Sequence, residues 1–185
     1  MTIAEKAKEF FNKEIDKSRF ADHFKDHIRE LEKWEMIMEK KYPEADKEIV
    51  LLGIYLHDIG FSIGEDDDHA VTGEIIAKEW LEKEKYDTNK TKEVLHCIRA
   101  HRCKDVMPEI LEAKIIAFID SASHLTQGIY FGIARKEKEG AKYEALPKLE
   151  RDYRDLSLFP EMKEDMRELY DAWKKLIEVY QKMDI

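Results

Sequence analysis

Seven histidines and a scattered set of aspartates supply most of the chemistry open to this chain, and their neighbours sort them. His57 and Asp58 stand side by side at the end of the most hydrophobic stretch, Ile49 to Leu56. An ionised carboxylate beside buried apolar residues costs on the order of several kcal/mol unless a cation or strong donors compensate it. A divalent metal does so directly. Neutral imidazole and carboxylate are joint ligands for mid-row divalent ions, and adjacent residues at a helix end, about 100° apart, can point at one ion. A structural His-Asp hydrogen bond would satisfy the same pair. His27 on an apolar stripe and Asp120 at the close of the run Ile115 to Ile119 shift the balance. Each alone reads as a hydrogen-bonded core residue. Together the four offer two imidazoles and two carboxylates from three helices, a catalytic rather than a structural metal pattern.

Several helices are needed to bring such ligands together, and helical periodicity runs through nearly the whole chain. Phe20, Phe24, His27, Leu31, Trp34 and Met38 recur at spacings of three and four, so they share one face of a helix between Phe20 and Lys40. Tyr42-Pro43 ends it, and the apolar segment Lys47 to Ile59, running up to Gly60, predicts a central buried helix. Phe61 to Asp68, with Gly64 and the acidic run Glu65 to Asp68, reads as a solvated loop whose last residue can cap a helix His69 to Lys83. A helix from about Asn89 to Cys103 places Val94, Ile98 and His101 on one face, and another starts at Met107-Pro108 and runs to Asp120. Further helical segments are expected near Ser121 to Lys138, Ala141 to Asp155 and Pro160 to Met183. In the last, Met162, Met166, Leu169, Trp173, Leu176, Tyr180 and Met183 alternate by four and three, which suits a core-facing helix or the seam of a homodimer. The periodicity leaves both open.

Composition limits the rest. With 185 residues, 43% hydrophobic and 39% charged, and only 7 Gly and 4 Pro, the chain suits one all-α domain and not a disordered or turn-rich β protein. A net charge of -9 repels duplex nucleic acid and anionic membranes, so a phosphorylated substrate must meet a local positive centre such as a metal. Two cysteines, Cys97 and Cys103, fit a reducing cytoplasm better than a disulfide scaffold and read as spectators. No apolar run approaches the roughly 20 residues that span a bilayer. Neither a Gly-x-Ser-x-Gly elbow nor a phosphate-cradling Gly-x-x-x-x-Gly-Lys-Ser/Thr string occurs, and only Glu93 to His96 fits the Glu-x-x-His motif that a ferritin-like dimetal bundle would need twice.

The ordered series His27, Leu56-His57-Asp58-Ile59-Gly60, His69, Ile98 to His101 and Asp120 resembles the HD-domain superfamily of metal-dependent phosphohydrolases. The likeness covers roughly Phe20 to Leu125. It implies a helical bundle with its core over about 20–125 and a C-terminal helical extension over about 126–185, within one domain of residues 1–185. It also implies that His27, His57, Asp58 and Asp120 bind the metal, and that a phosphomonoester, phosphodiester or pyrophosphate bond, usually in a nucleotide, is hydrolysed. Members with two metals tend to carry two adjacent histidines late in the series, whereas here His96 and His101 stand singly, so one divalent ion is expected: Mn, Fe, Co, Ni, Mg or Zn. Asp120-Ser121-Ala122 also departs from the Asp-Ala-Asp of many small members.

On that reading the metal-activated water attacks a phosphoryl group, with Asp58 among the catalytic residues and His69 and His101 contacting phosphate or protonating the leaving group. Arg102 and Lys104 read as a solvated helix end, His23 lies off the His27 stripe, and His96 is about 140° around its helix from His101. Tyr130, Phe131 and Arg135 are guesses at the substrate pocket wall. The rival is a non-catalytic HD module that binds a metal or phosphorylated ligand and uses the terminal helix for interaction or dimerisation.

Overall fold

The computed structural model describes residues 1–63 and 68–183. These residues form ten α-helices and two short 3₁₀ turns with no strand among them, the all-α class that the periodicity implies. They fall into two compact units, Met1–Ile119 and Asp120–Ile185.

In the first unit, α1 (Ile3–Ile15) opens with a capping box in which Thr2 and Glu5 satisfy each other's backbone N–H groups. Helix α2 (Ala21–Lys41) buries Phe24, His27, Ile28, Leu31, Glu35 and Met38, the expected stripe with one unexpected carboxylate. Helix α3 (Lys47–Leu56), capped by the Asp46 side chain, is buried nearly all round and packs against α1, α2 and the later helix Thr88–Ala100. Gly53 leaves room for Ile116: a Cβ there would stand 2.8 Å from Ile116 Cγ1. The helix stops at Leu56 rather than continuing to Ile59. His57 takes the cap position, Asp58 turns out of helical geometry, and Ile59–Ser62 tightens into a 3₁₀ turn.

That turn packs on α4 (His69–Lys83), whose bounds match the expectation. Asp68 occupies the position before α4, but its side chain makes no capping hydrogen bond; its backbone carbonyl accepts from Val71 and Thr72 while the carboxylate faces Arg102 at 3.6 Å. The rest of the acidic run, Glu65 to Asp67, lies outside the described residues. Helix α5 (Thr88–Ala100), capped by Asp87, ends three residues before Cys103, which has a left-handed φ of 46°. Helix α6 (Leu111–Gln127) begins beyond Pro108, and ahead of it the Glu109 N–H donates to His96 Nε2 at 3.0 Å. It does not end at Asp120. Ser121, Ala122 and Ser123 are small and buried, and the helix runs on until Gly128, at φ 69°, stops it.

The second unit takes in the end of α6, then α7 (Ile129–Lys138), α8 (Ala145–Asp155), a 3₁₀ turn Leu156–Leu158, α9 (Pro160–Asp165) and α10 (Arg167–Gln181). Helices α7, α8 and α10 pack on one another. Trp173 of α10 lies over Gly128 and donates its indole N–H to the Leu125 carbonyl at 3.0 Å. The continuous terminal helix is corrected: the chain breaks at Met166. Met162 and Met166 go into the core together with Ile177, whereas Leu169, Leu176 and Met183 lie exposed, so the four-three series divides between two faces.

Candidate metal centre

Two of the site's histidines are placed by the same local device. His57 caps α3 and His101 caps α5. Each ring donates its Nδ1–H to the carbonyl three residues earlier, Ile54 at 2.9 Å and Ile98 at 2.7 Å. A carbonyl can only accept, so the proton sits on Nδ1 and Nε2 carries the lone pair that could ligate a cation. His27 comes from the buried face of α2, and His69 is the first residue of α4, its ring stacked on Phe61 with centroids 4.2 Å apart.

These four rings surround Asp58. Its Oδ2 lies 3.4 Å from His57 Nε2 and 3.9 Å from His27 Nε2, while Oδ1 lies 3.4 Å from His69 Nε2 and 3.8 Å from His101 Nε2. His27 Nε2 faces His57 Nε2 at 3.3 Å, and His69 Nε2 faces His101 Nε2 at 3.2 Å. Such nitrogen pairs repel unless a proton or cation lies between them. Donors about 2.1 Å from one ion stand about 3.0–3.4 Å apart in octahedral or tetrahedral geometry, close to these separations. His27, His57 and Asp58 form one group that could hold a metal, and Asp58, His69 and His101 form another. Neutral imidazoles and a carboxylate suit a mid-row divalent ion. Burial opposes ionisation of Asp58, but the imidazoles of His57, His69 and His101 outweigh it and hold its carboxyl well below the usual range.

Asp120 lies within α6, half-buried, with Oδ1 3.6 Å from His124 Nε2. The other His124 ring nitrogen faces Lys148 Nζ at 3.0 Å and Asp152 Oδ2 at 3.3 Å. Asp152 also accepts from Lys148 at 2.6 Å and from the Tyr130 hydroxyl at 2.8 Å. Tyr130 is thereby a fully buried core residue and not a pocket wall. His96, tied to Glu109, and the exposed His23 do not belong to the Asp58 groups, as expected. Lys104 is exposed. Burial pushes the Cys97 thiol up, which leaves it protonated and unreactive at neutral pH.

Residues 22–124, more than half of the chain, match the family model of the HD domain. The chain belongs to the HD-domain family. That family is one of metal-dependent phosphohydrolases, and the matched span takes in His27, His57, Asp58, His69, His101 and Asp120. No curated protein and no solved structure matches the chain. The linear order of residues did not disclose Phe61 as the partner of His69, nor Asp58 as a carboxylate shared by two imidazole pairs. One signal was present: His57 and His101 each follow an apolar helix end, where a cap histidine can reach the carbonyl at i−3.

Proposed function

We propose that this HD-domain protein hydrolyses a small phosphorylated substrate, a nucleotide, by attack of water at a metal centre built on Asp58. The observation that carries this reading is the convergence of four imidazole Nε2 atoms on the two oxygens of one buried carboxylate. When bound, a divalent ion supplies Lewis-acid polarisation of a phosphoryl oxygen and lowers the pKa of water from 15.7 toward about 7. The chain's own residues supply the rest. Ile54 and Ile98 fix the tautomers of His57 and His101, and burial of His27 and His57 keeps bulk water from the donor atoms. Asp120 joins the ligand set in this proposal on the family's pattern alone.

His69 and His101 have two readings. As phosphate contacts or a general acid they serve a centre with one ion. The Asp58, His69 and His101 group favours the second reading, in which they hold a second ion. Elemental analysis of the purified protein, followed by a nucleotide and phosphoester panel with several divalent ions, tests the function. Release of phosphate or pyrophosphate that requires added metal, and that collapses in Asp58→Ala with the helical circular dichroism retained, is the expected result. Undiminished turnover in that variant would remove the proposed mechanism, and ligand binding without any turnover would assign the protein as a binding module.

A further inference from the structure

The four imidazoles around Asp58 are not held alike. His57 and His101 are each tied through Nδ1–H to a carbonyl, and His27 lies on the buried face of α2. His69 opens α4 and is the most exposed of the four, its side chain 15% accessible against 4% for His27, 2% for His101 and 0% for His57. An aromatic stack meets its ring. Phe61, in the 3₁₀ turn that follows Asp58, lies against His69 with centroids 4.2 Å apart and planes 21° apart. Phe61 is in turn stacked on Phe24 of α2, at 5.1 Å and 29°. Phe24 stands three residues before His27, on the same buried face of that helix. All of these residues lie in the first unit.

We propose that Phe61, backed by Phe24, is the positioning residue for His69: the stack fixes the plane of the imidazole so that Nε2 stays aimed at the ion site of Asp58 and His101. It rests on the metal-centre reading for the role of His69. An imidazole ligates through a lone pair in its ring plane, so a partner on its face restricts the plane and leaves that lone pair open to a cation. Backbone packing acts on the same residue. A Cβ on Gly60, next to Phe61, would lie 2.2 Å from the His69 carbonyl oxygen, so turn and helix start are pressed together where the rings stack. With its plane held, His69 Nε2 stands 3.4 Å from Asp58 Oδ1 and 3.2 Å from His101 Nε2. Loss of the Phe61 ring therefore weakens metal binding by acting through His69.

The test titrates Mn²⁺ calorimetrically into metal-free protein and records the imidazole C–H resonances of the same metal-free samples by NMR. In the wild-type protein the His69 ring protons are expected upfield, because they lie over the face of Phe61, and His69→Gln makes the assignment. Phe61→Leu removes that shift and weakens Mn²⁺ binding by about 10-fold or more. Phe61→Tyr keeps the ring and restores both. In a His69→Gln background Phe61→Leu is expected to add less than about twofold, since a residue that acts through His69 has nothing left to act on. Phe61→Met takes the place of Phe61→Leu if the latter loses its helical circular dichroism. Unshifted His69 protons in the wild type, wild-type affinity in Phe61→Leu, or an undiminished loss in the His69→Gln background overturns the proposal and leaves the metal centre standing. Absence of any Mn²⁺ binding by the wild type counts against the metal-centre reading, and the His69 shift then decides the stack by itself.

Discussion

At the scale of single residues, Asp58 differs from an ordinary buried acid in having each oxygen within reach of an imidazole pair. The two roles open to His101 separate cleanly. If it is a ligand, His101→Ala lowers the bound metal measured by elemental analysis, and kcat/KM falls by about 10²-fold or more. If it is a general acid, metal content stays at the wild-type level and the alkaline decline of the rate disappears, because the acid is lost as pH rises through its pKa. Glu35 gives a prediction away from the centre. Burial raises its pKa, with Lys47 the nearest cation at 3.9 Å lowering it only in part. The folded state thus binds the proton more tightly than the unfolded one, and stability falls as pH rises through the raised value. Glu35→Gln should raise the urea midpoint at pH 7 and lose that gain toward the ordinary glutamate pKa of about 4.3. An equal shift at both pH values would refute the assignment to ionisation.

At the scale of elements, the start of α4 is held against the turn after Asp58 by backbone proximity. A Cβ on Gly60 would lie 2.2 Å from the His69 carbonyl oxygen and 3.0 Å from Gly73 N, and both are main-chain atoms that cannot move alone. Gly60→Ala should cost about 1–3 kcal/mol by overpacking and displace His69, weakening metal binding as well. Gly132 in α7 is the control: no atom lies within 4 Å of its added Cβ. Gly132→Ala should stabilise by up to about 1 kcal/mol through helix propensity. A Gly60→Ala protein with wild-type melting and metal content would show that this contact does not position the site. Much of the element pattern was readable in advance. Asp46 and Asp87 mark helix starts, and the α2 stripe placed His27 inside. The breaks at Leu56 and Met166 were hidden, because apolar periodicity continues through both while the packing turns.

At the scale of the whole molecule, a cation bound at the proposed centre, where buried imidazoles surround one carboxylate, would add to the stability of the fold. An ion that binds only the folded chain, present at about 100 times its Kd, contributes about 2.7 kcal/mol. For a chain of this size that corresponds to roughly 5–10 °C in Tm. EDTA should therefore lower the melting temperature and stoichiometric Mn²⁺ should restore it, as read by calorimetry. An unchanged Tm after metal removal, verified by elemental analysis, would contradict a cation seated in the core. No helix among the described residues is long and apolar enough to cross a membrane.

By itself the sequence determined what is local: helical period, capping aspartates, which faces are apolar, and that His27, His57 and Asp58 carry ligand atoms where bland residues would be expected. Those follow from side-chain spacing of three and four, a property of neighbouring residues. Only the tertiary structure decided that His69 and His101 complete a ring around the same carboxylate, that Phe61 stacks on His69, and that the terminal series divides at Met166. Each of these depends on backbone approach between distant segments, such as Gly60 against His69, which no periodicity along the chain encodes.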